Sequence, residues 1–158
     1  VTVADNVHIR AYSYLEGATI ETCATVGPFA RLRPHTVIGK DSKIGNFVEI
    51  KNATLGEGVK AAHLAYIGDA DVGDQVNFSC GAITVNYDGI NKHKTIVGDG
   101  AMIGSNVNLI APITVGKNAY IAAGSTIDEN VPPEALAIAR ERVTIKKERA
   151  KGRTKKHG

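Results

Sequence analysis

Tryptophan is absent from this 158-residue chain, methionine occurs once, and only 5% of residues are aromatic. Too few rings are present to fill an ordinary globular interior, so the core must be built from aliphatic side chains. Two cysteines, Cys23 and Cys80, lie far apart and supply neither a disulfide framework nor the ligand spacing of a metal site. No metal is therefore expected. No run approaches the ~20 apolar residues of a membrane span, and no signal-peptide pattern opens the chain. These absences lead us to expect a cytoplasmic protein with no membrane insertion. The first residue is Val1, not Met, which suggests a part of a longer protein.

Charge is unevenly placed. Residues 141–158 hold eight Lys or Arg against two Glu, a net +6, which leaves the first 140 residues at −3 within a whole-chain +3. The basic character belongs to the tail, and the body offers no nucleic-acid surface. Lys146, Lys147, Arg149, Lys151, Arg153, Lys155 and Lys156 read as a solvated terminus, or as a contact for phosphate or acidic lipid.

What the chain does have is a period of six. Aliphatic residues recur at Ile20, Val26, Leu32, Ile38, Ile44 and Ile50, and again at Val97, Ile103, Leu109, Val115, Ile121 and Ile127. A weaker prelude runs through Val3, Ile9 and Leu15. Neither a helix nor a half-buried strand sustains that spacing, whereas a hexapeptide solenoid does. Four positions after each aliphatic residue the side chain is mostly small, as at Ala24, Ala30, Thr36, Ser42, Ala101, Ala119 and Ser125. The expected fold is an all-β parallel β-helix of triangular coils, about eighteen residues each, stacked at the strand spacing of about 4.8 Å. Gly residues are expected at the corners, where positive φ is needed. The pattern resembles the left-handed hexapeptide-repeat class; the handedness rests on that resemblance, because crossovers are ordinarily right-handed.

Two breaks interrupt the count. One residue is dropped between Ile50 and Leu55, and between Phe78 and Val97 the pattern dissolves. A protruding loop is expected near 84–96, with Asp88-Gly89 as a tight turn, in the kind of place where a rigid scaffold carries chemistry. The body is assigned to residues 1–140 and the basic tail to 141–158. A helix is expected over Glu134–Arg149 on propensity.

Setting each aliphatic residue at the centre of a side turns its neighbours outward. Arg31, Glu49 and Tyr66 then form one outward column, and Arg33, Lys51 and Gly68 a second. Two cations one coil apart suit an anion such as phosphate; Arg31, Glu49 and Lys51 read equally well as a salt-bridge ladder. His63 is the one histidine the lattice sets near this group, which makes it a candidate general base.

At these residues a family match becomes close. Gly27-Pro28-Phe29-Ala30-Arg31-Leu32-Arg33-Pro34, Gly45-Asn46-Phe47-Val48-Glu49-Ile50-Lys51, His63-Leu64-Ala65-Tyr66-Ile67-Gly68-Asp69 and Val85-Asn86-Tyr87-Asp88-Gly89 resemble one bacterial bifunctional family. It is the N-acetylglucosamine-1-phosphate uridyltransferase/glucosamine-1-phosphate acetyltransferase family, over its C-terminal half. The resemblance implies acetyl transfer from acetyl-CoA to the 2-amino group of glucosamine-1-phosphate, supplying N-acetylglucosamine-1-phosphate for UDP-sugar and cell-wall precursor synthesis. It implies His63 as base with Glu49 beside it, and Arg33 and Lys51 on the phosphate. Tyr66, Asn77, Asn86 and Lys92 match sugar contacts. Cys80, Asn86, Tyr87, Ser105, Ala123 and Arg140 match acetyl-CoA contacts, and the resemblance further implies a homotrimer with sites between subunits. Ser79-Cys80-Gly81 departs from the family's usual Gly-Ala-Gly.

No Gly-rich nucleotide loop or metal-binding carboxylate set of a uridyltransferase is found, so acetylation without UDP-sugar synthesis, and without magnesium, is expected. Rival readings are another hexapeptide acyltransferase with a different amine or hydroxyl acceptor, a carbonic anhydrase on the same solenoid, and an ice-binding solenoid. The last two want three His ligands and an outward Thr side respectively, which this sequence lacks.

Overall fold

The computed structural model describes residues 1–153, whose strands form a left-handed parallel β-helix of about eight turns. Every coil-to-coil pairing between named strands is parallel and in register. Thr25 lies beside Lys43 and Lys43 beside Lys60; Arg31 lies beside Glu49 and Glu49 beside Tyr66. The period of six places one aliphatic residue per side on the axis. Ile20, Leu32, Ile38, Ile50, Ile67 and Ile121 are all fully buried. Each such burial contributes roughly 1.5–3 kcal/mol relative to an exposed side chain. The small positions lie inside the corners, with Ala24, Ser42 and Ser125 completely inaccessible.

Coil length follows the count along the chain. Thr25 to Lys43 is an eighteen-residue step, and Lys43 to Lys60 a step of seventeen. The residue missing between Ile50 and Leu55 produces that change, and a second drop, between Ile67 and Val72, keeps the next step, Lys60 to Asn77, at seventeen before Thr95 to Ile113 returns to eighteen. Two long strands, Lys43–Leu55 and Lys60–Val72, run unbroken around two corners and form the most continuous ladder of the stack.

Corner chemistry differs from the expectation. Left-handed backbone recurs about every six residues, but it is carried mostly by residues other than glycine, among them Asn6, Asp41, Asn52, Asp69 and Asn106. Asn and Asp tolerate that region best. Gly45, which follows an aliphatic residue, has ordinary φ and serves another purpose: a Cβ there would strike the Ala62 carbonyl of the next coil. Three aromatics also occupy such corners, and Tyr12, Phe29 and Phe47 stack outward with centroids 5.3 and 5.6 Å apart.

The helix expected over Glu134–Arg149 does not form. After Pro132 and Pro133 the chain turns, and Leu136–Ala137 pairs with Tyr120–Ile121 as one more rung. An open sheet edge offers unpaired N–H and C=O groups, and pairing them outweighs local helix propensity. From Glu141 the described tail is exposed and makes only turns, with a Lys151–Glu148 ion pair at 3.0 Å. Lys155 and Lys156 lie outside the described residues.

Candidate active site

The interrupted coil builds the site. Where the lattice wants an aliphatic residue on the third side, Thr84 is buried instead. Its hydroxyl accepts a 2.8 Å hydrogen bond from the Gly68 N–H, the bond a ladder carbonyl would otherwise take. The chain then leaves the solenoid between Ile83–Val85 and Thr95–Val97, so the loop proper is 86–94, narrower than expected. It is a self-bonded hairpin, not an open coil. Tyr87 bridges Lys92, the His93 N–H donates to the Asn86 carbonyl, and the Asp88 carboxylate accepts from the Ile90 and Asn91 N–H groups. His93 Nε2 lies 2.7 Å from Asp88. That contact, with the two N–H bonds, pulls the Asp88 carboxyl down to about 2.

Between this hairpin and the wall lies a cavity of about 850 Å³ lined by Arg33, Pro34, His35, Lys51, Asn52, Ala53, Thr54, Asp69, Asp71, Lys92, His93 and Lys94. Arg33 and Lys51 thus share one wall, as the coil count requires. The salt-bridge ladder forms in part, through Arg31 and Glu49, while Lys51 turns to a different carboxylate. Glu49 lies 3.3 Å from Arg31 and from Arg33, and Lys51 lies 3.4 Å from Asp69. Lys94 pairs with Asp71. Lys92 alone of these four lining cations forms no ion pair among the described residues. Its amine lies beside that of Lys51, and the two groups titrate together. That contact holds the Lys51 ammonium above its ordinary value, with Asp69 helping, and pushes Lys92 below its own.

Behind the cations is a polar cluster at one corner. Asn52 Nδ2 donates to Asp69 Oδ1 at 2.7 Å, and Asn86 Nδ2 donates to Asp69 Oδ2 at 2.6 Å and to the Tyr66 hydroxyl at 3.2 Å. Gly68, whose missing side chain leaves room in its column, admits the Tyr66 hydroxyl and the Asn86 amide into that space. Burial pushes the Asp69 carboxyl up, but the two amides and the Lys51 ammonium outweigh it and hold the group below the usual carboxylate value.

His63 occupies the other end of the same side. It is exposed, and its Nδ1 lies 3.0 Å from Asn46 Oδ1, its neighbour one coil earlier. An amide oxygen only accepts, so Nδ1 carries the hydrogen and Nε2 is left to take a proton. The expectation that His63 is the histidine nearest the cation pair is corrected: His35 and His93 line the cavity and His63 does not. Pro34 delivers His35 to the corner, and the hairpin folds His93 back, neither of which a six-residue count reveals. Glu49 bonds the arginines and not His63.

From His63 a line runs down one corner through Cys80, Ser105 and Ala123, each coil tied to the next by Gly81 N–H to Leu64, Asn106 N–H to Cys80 and Gly124 N–H to Ser105. Three coil spacings make this line about 14 Å long. Arg140 Nη1 closes its far end on the Ala123 carbonyl at 2.7 Å. Cys80 is exposed on this line. Asn77 stands on a different side, in the column of Lys43 and Lys60, within 3.3 Å of Ser79 and Met102. Tyr87 is exposed on the hairpin. Sequence reasoning assigned no role to Asn46, Asn52 or Asp69. The signal was a seventeen-residue spacing, from Asn46 to His63 and from Asn52 through Asp69 to Asn86.

Among the described residues no group of three or more His, Cys, Asp or Glu is placed to hold a metal ion, and no helix is long and apolar enough to cross a membrane.

The family model described as bacterial transferase hexapeptide (six repeats) matches residues 17–52 and 94–129. The bifunctional protein GlmU of Brevibacillus brevis is 60% identical over 142 residues, covering 90% of this chain and 31% of that protein. GlmU of Exiguobacterium sibiricum is 58% identical over 144 residues, covering 91% and 32% respectively. The chain thus spans about a third of the length of these curated relatives. Among solved structures, the acetyltransferase domain of PglB from Neisseria gonorrhoeae superposes with a TM-score of 0.64 at 22% identity, over 77% of this chain and 54% of that one. A mutant GDP-perosamine N-acetyltransferase from Caulobacter crescentus, solved with CoA and GDP-perosamine, gives 0.58 at 20% identity, over 80% and 54%. At that identity the two structures bear on the fold alone.

Proposed function

The chain belongs to the GlmU family of bacterial hexapeptide-repeat proteins, and on that premise we propose that it transfers acetyl from acetyl-CoA to the 2-amino group of glucosamine-1-phosphate. The product, N-acetylglucosamine-1-phosphate, feeds UDP-N-acetylglucosamine and cell-wall precursor synthesis in the cytoplasm. The observation that carries this reading is the pairing, on one side of one solenoid, of a cation-lined cavity with an exposed imidazole at the head of a corner line.

Arg33, Lys51 and Lys92 hold the phosphate in this reading, while Tyr66, Asn86 and Asn77 contact the sugar. Glu49 fixes the two arginines. His63 Nε2 takes the proton from the substrate ammonium or its attacking amine. The nitrogen lone pair adds to the thioester carbon, and the tetrahedral intermediate collapses with loss of the CoA thiolate, which leaves as the thiol once protonated. Acetyl-CoA lies along Cys80, Ser105 and Ala123 toward Arg140, with Asn86 and Tyr87 flanking its acyl end. Backbone N–H groups of the corner are the donors available to the oxyanion.

In glucosamine-1-phosphate the amine and the phosphate sit on adjacent carbons, whereas His63 and the cation cavity are at opposite ends of one side. A site shared between neighbouring copies resolves that separation, and we assign the assembly as a homotrimer whose sites each take His63 and the cations from different copies.

The test is CoA release with a panel of acceptors. Glucosamine-1-phosphate should react, while glucosamine, serine and N-acetylglucosamine-1-phosphate should not. His63→Ala should remain folded and lose at least ~100-fold in turnover. Preference for another amine or a hydroxyl acceptor would reassign the chain to a different acyl transfer on this fold.

A further inference from the structure

The Asp69 carboxylate ties its own pass of the chain to the passes before and after it at one corner. It accepts from Asn52 Nδ2 at 2.7 Å and Asn86 Nδ2 at 2.6 Å, and faces Lys51 Nζ at 3.4 Å. Its two oxygens are each taken by a different amide, and the residue is buried to 8% exposure in a left-handed backbone position. Asn86 is equally buried, roots the hairpin through its bond from the His93 N–H, and reaches the Tyr66 hydroxyl with the same amide nitrogen. A carboxylate is the one side chain of this size with two acceptors and no donor. An amide in its place would set NH2 against NH2 at one of the two contacts.

We propose that Asp69 is a positioning residue for acyl transfer: it fixes Lys51 and Asn86 against the sugar phosphate and, by pairing with Lys51, keeps that cation from binding anions indiscriminately. The proposal rests on the acetyltransferase reading given above. Arg33 is restrained in the same manner by Glu49, so Lys92 is left as the cation of the cavity wall without a carboxylate partner among the described residues. Anion recognition then depends on direction more than on surplus charge, which separates a sugar phosphate from free phosphate.

Asp69→Asn tests this because it preserves shape and removes one acceptor and one charge. With acetyl-CoA and glucosamine-1-phosphate we expect kcat to fall about 10-fold, the size of one or two lost hydrogen bonds. Inorganic phosphate should at the same time become a better competitive inhibitor, by roughly 3-fold or more, because Lys51 has lost its counter-ion. A residue that merely supports the fold would weaken phosphate inhibition along with everything else. Unchanged kcat, or inhibition no tighter than in the wild type, overturns the proposal. Should Asp69→Asn not fold, Asn52→Ala decides: one anchoring amide is lost, kcat should drop about 3-fold, and phosphate inhibition should stay as in the wild type. Wild-type kcat in Asn52→Ala would then overturn the role. A wild-type enzyme that fails to acetylate glucosamine-1-phosphate would remove the acetyltransferase reading itself, and is distinguished by appearing before any substitution is made.

Discussion

Replacing Asn46 by aspartate should move the acid limb of the kcat/KM profile to higher pH. Asn46 Oδ1 accepts the Nδ1–H of His63 at 3.0 Å, and a carboxylate in that place would add a negative charge about 4 Å from the centre of the imidazolium. At the aqueous end of the scale, which an exposed histidine warrants, that attraction is about 1 kcal/mol. At 1.36 kcal/mol per unit, the limb rises by about 0.7 of a pH unit. The sign is fixed: a carboxylate favours the protonated ring, so a higher pH is needed to free the base. The plateau above the limb should be little altered. Asn46→Leu separates charge from orientation. It removes a hydrogen bond of about 1 kcal/mol and should lower kcat about 5-fold at every pH, with the limb unmoved. Initial rates of CoA release between pH 5.5 and 9, at low and at saturating glucosamine-1-phosphate, supply both profiles. Coincident limbs for wild type and Asn46→Asp, or wild-type turnover in Asn46→Leu, would refute the idea that Asn46 sets the working face of His63.

The Lys51 contact pushes Lys92 below its ordinary value, so Lys92 loses its charge first as pH rises. KM for glucosamine-1-phosphate should therefore climb at alkaline pH, below the usual lysine range, and Lys92→Arg should abolish the climb in steady-state assays. Asp69 is depressed below the ordinary carboxylate value, so its stabilisation is complete above the unfolded value and disappears as pH falls through the folded one. The difference in Tm between wild type and Asp69→Asn should accordingly be full above the ordinary carboxylate range and shrink as pH falls below it, as read by calorimetry.

The solenoid is legible in the sequence because its core repeats a single decision: one aliphatic side chain per side, at Ile20, Leu32, Ile38 and onward. Outward columns follow from that, and Arg31, Glu49 and Tyr66 stand beside one another as the count requires. Corners are harder to read. Left-handed backbone recurs with the period but falls on Asn52, Asp69 and Phe29 alike, so residue type does not mark it. The hairpin is harder still, because Asp88 and His93 settle its shape by side-chain bonds that no periodicity marks. His93 escapes notice at the cavity for that reason, and His35 because a corner following Pro34 carries it there. The last rung, Leu136–Ala137, shows the opposite error: local propensity favoured helix, but the open edge of the preceding coil had ladder groups to satisfy.

A complementation experiment bears most directly on the claim that base and cations serve one substrate from neighbouring copies. His63→Ala and Arg33→Ala/Lys51→Ala proteins, each inactive alone, would be unfolded together and refolded at equal amounts. Random trimers should regain about a quarter of the wild-type rate per site, because one site in four draws an intact His63 and intact cations from the right neighbours. A mixture as inactive as its components, despite confirmed mixed trimers, would contradict the account.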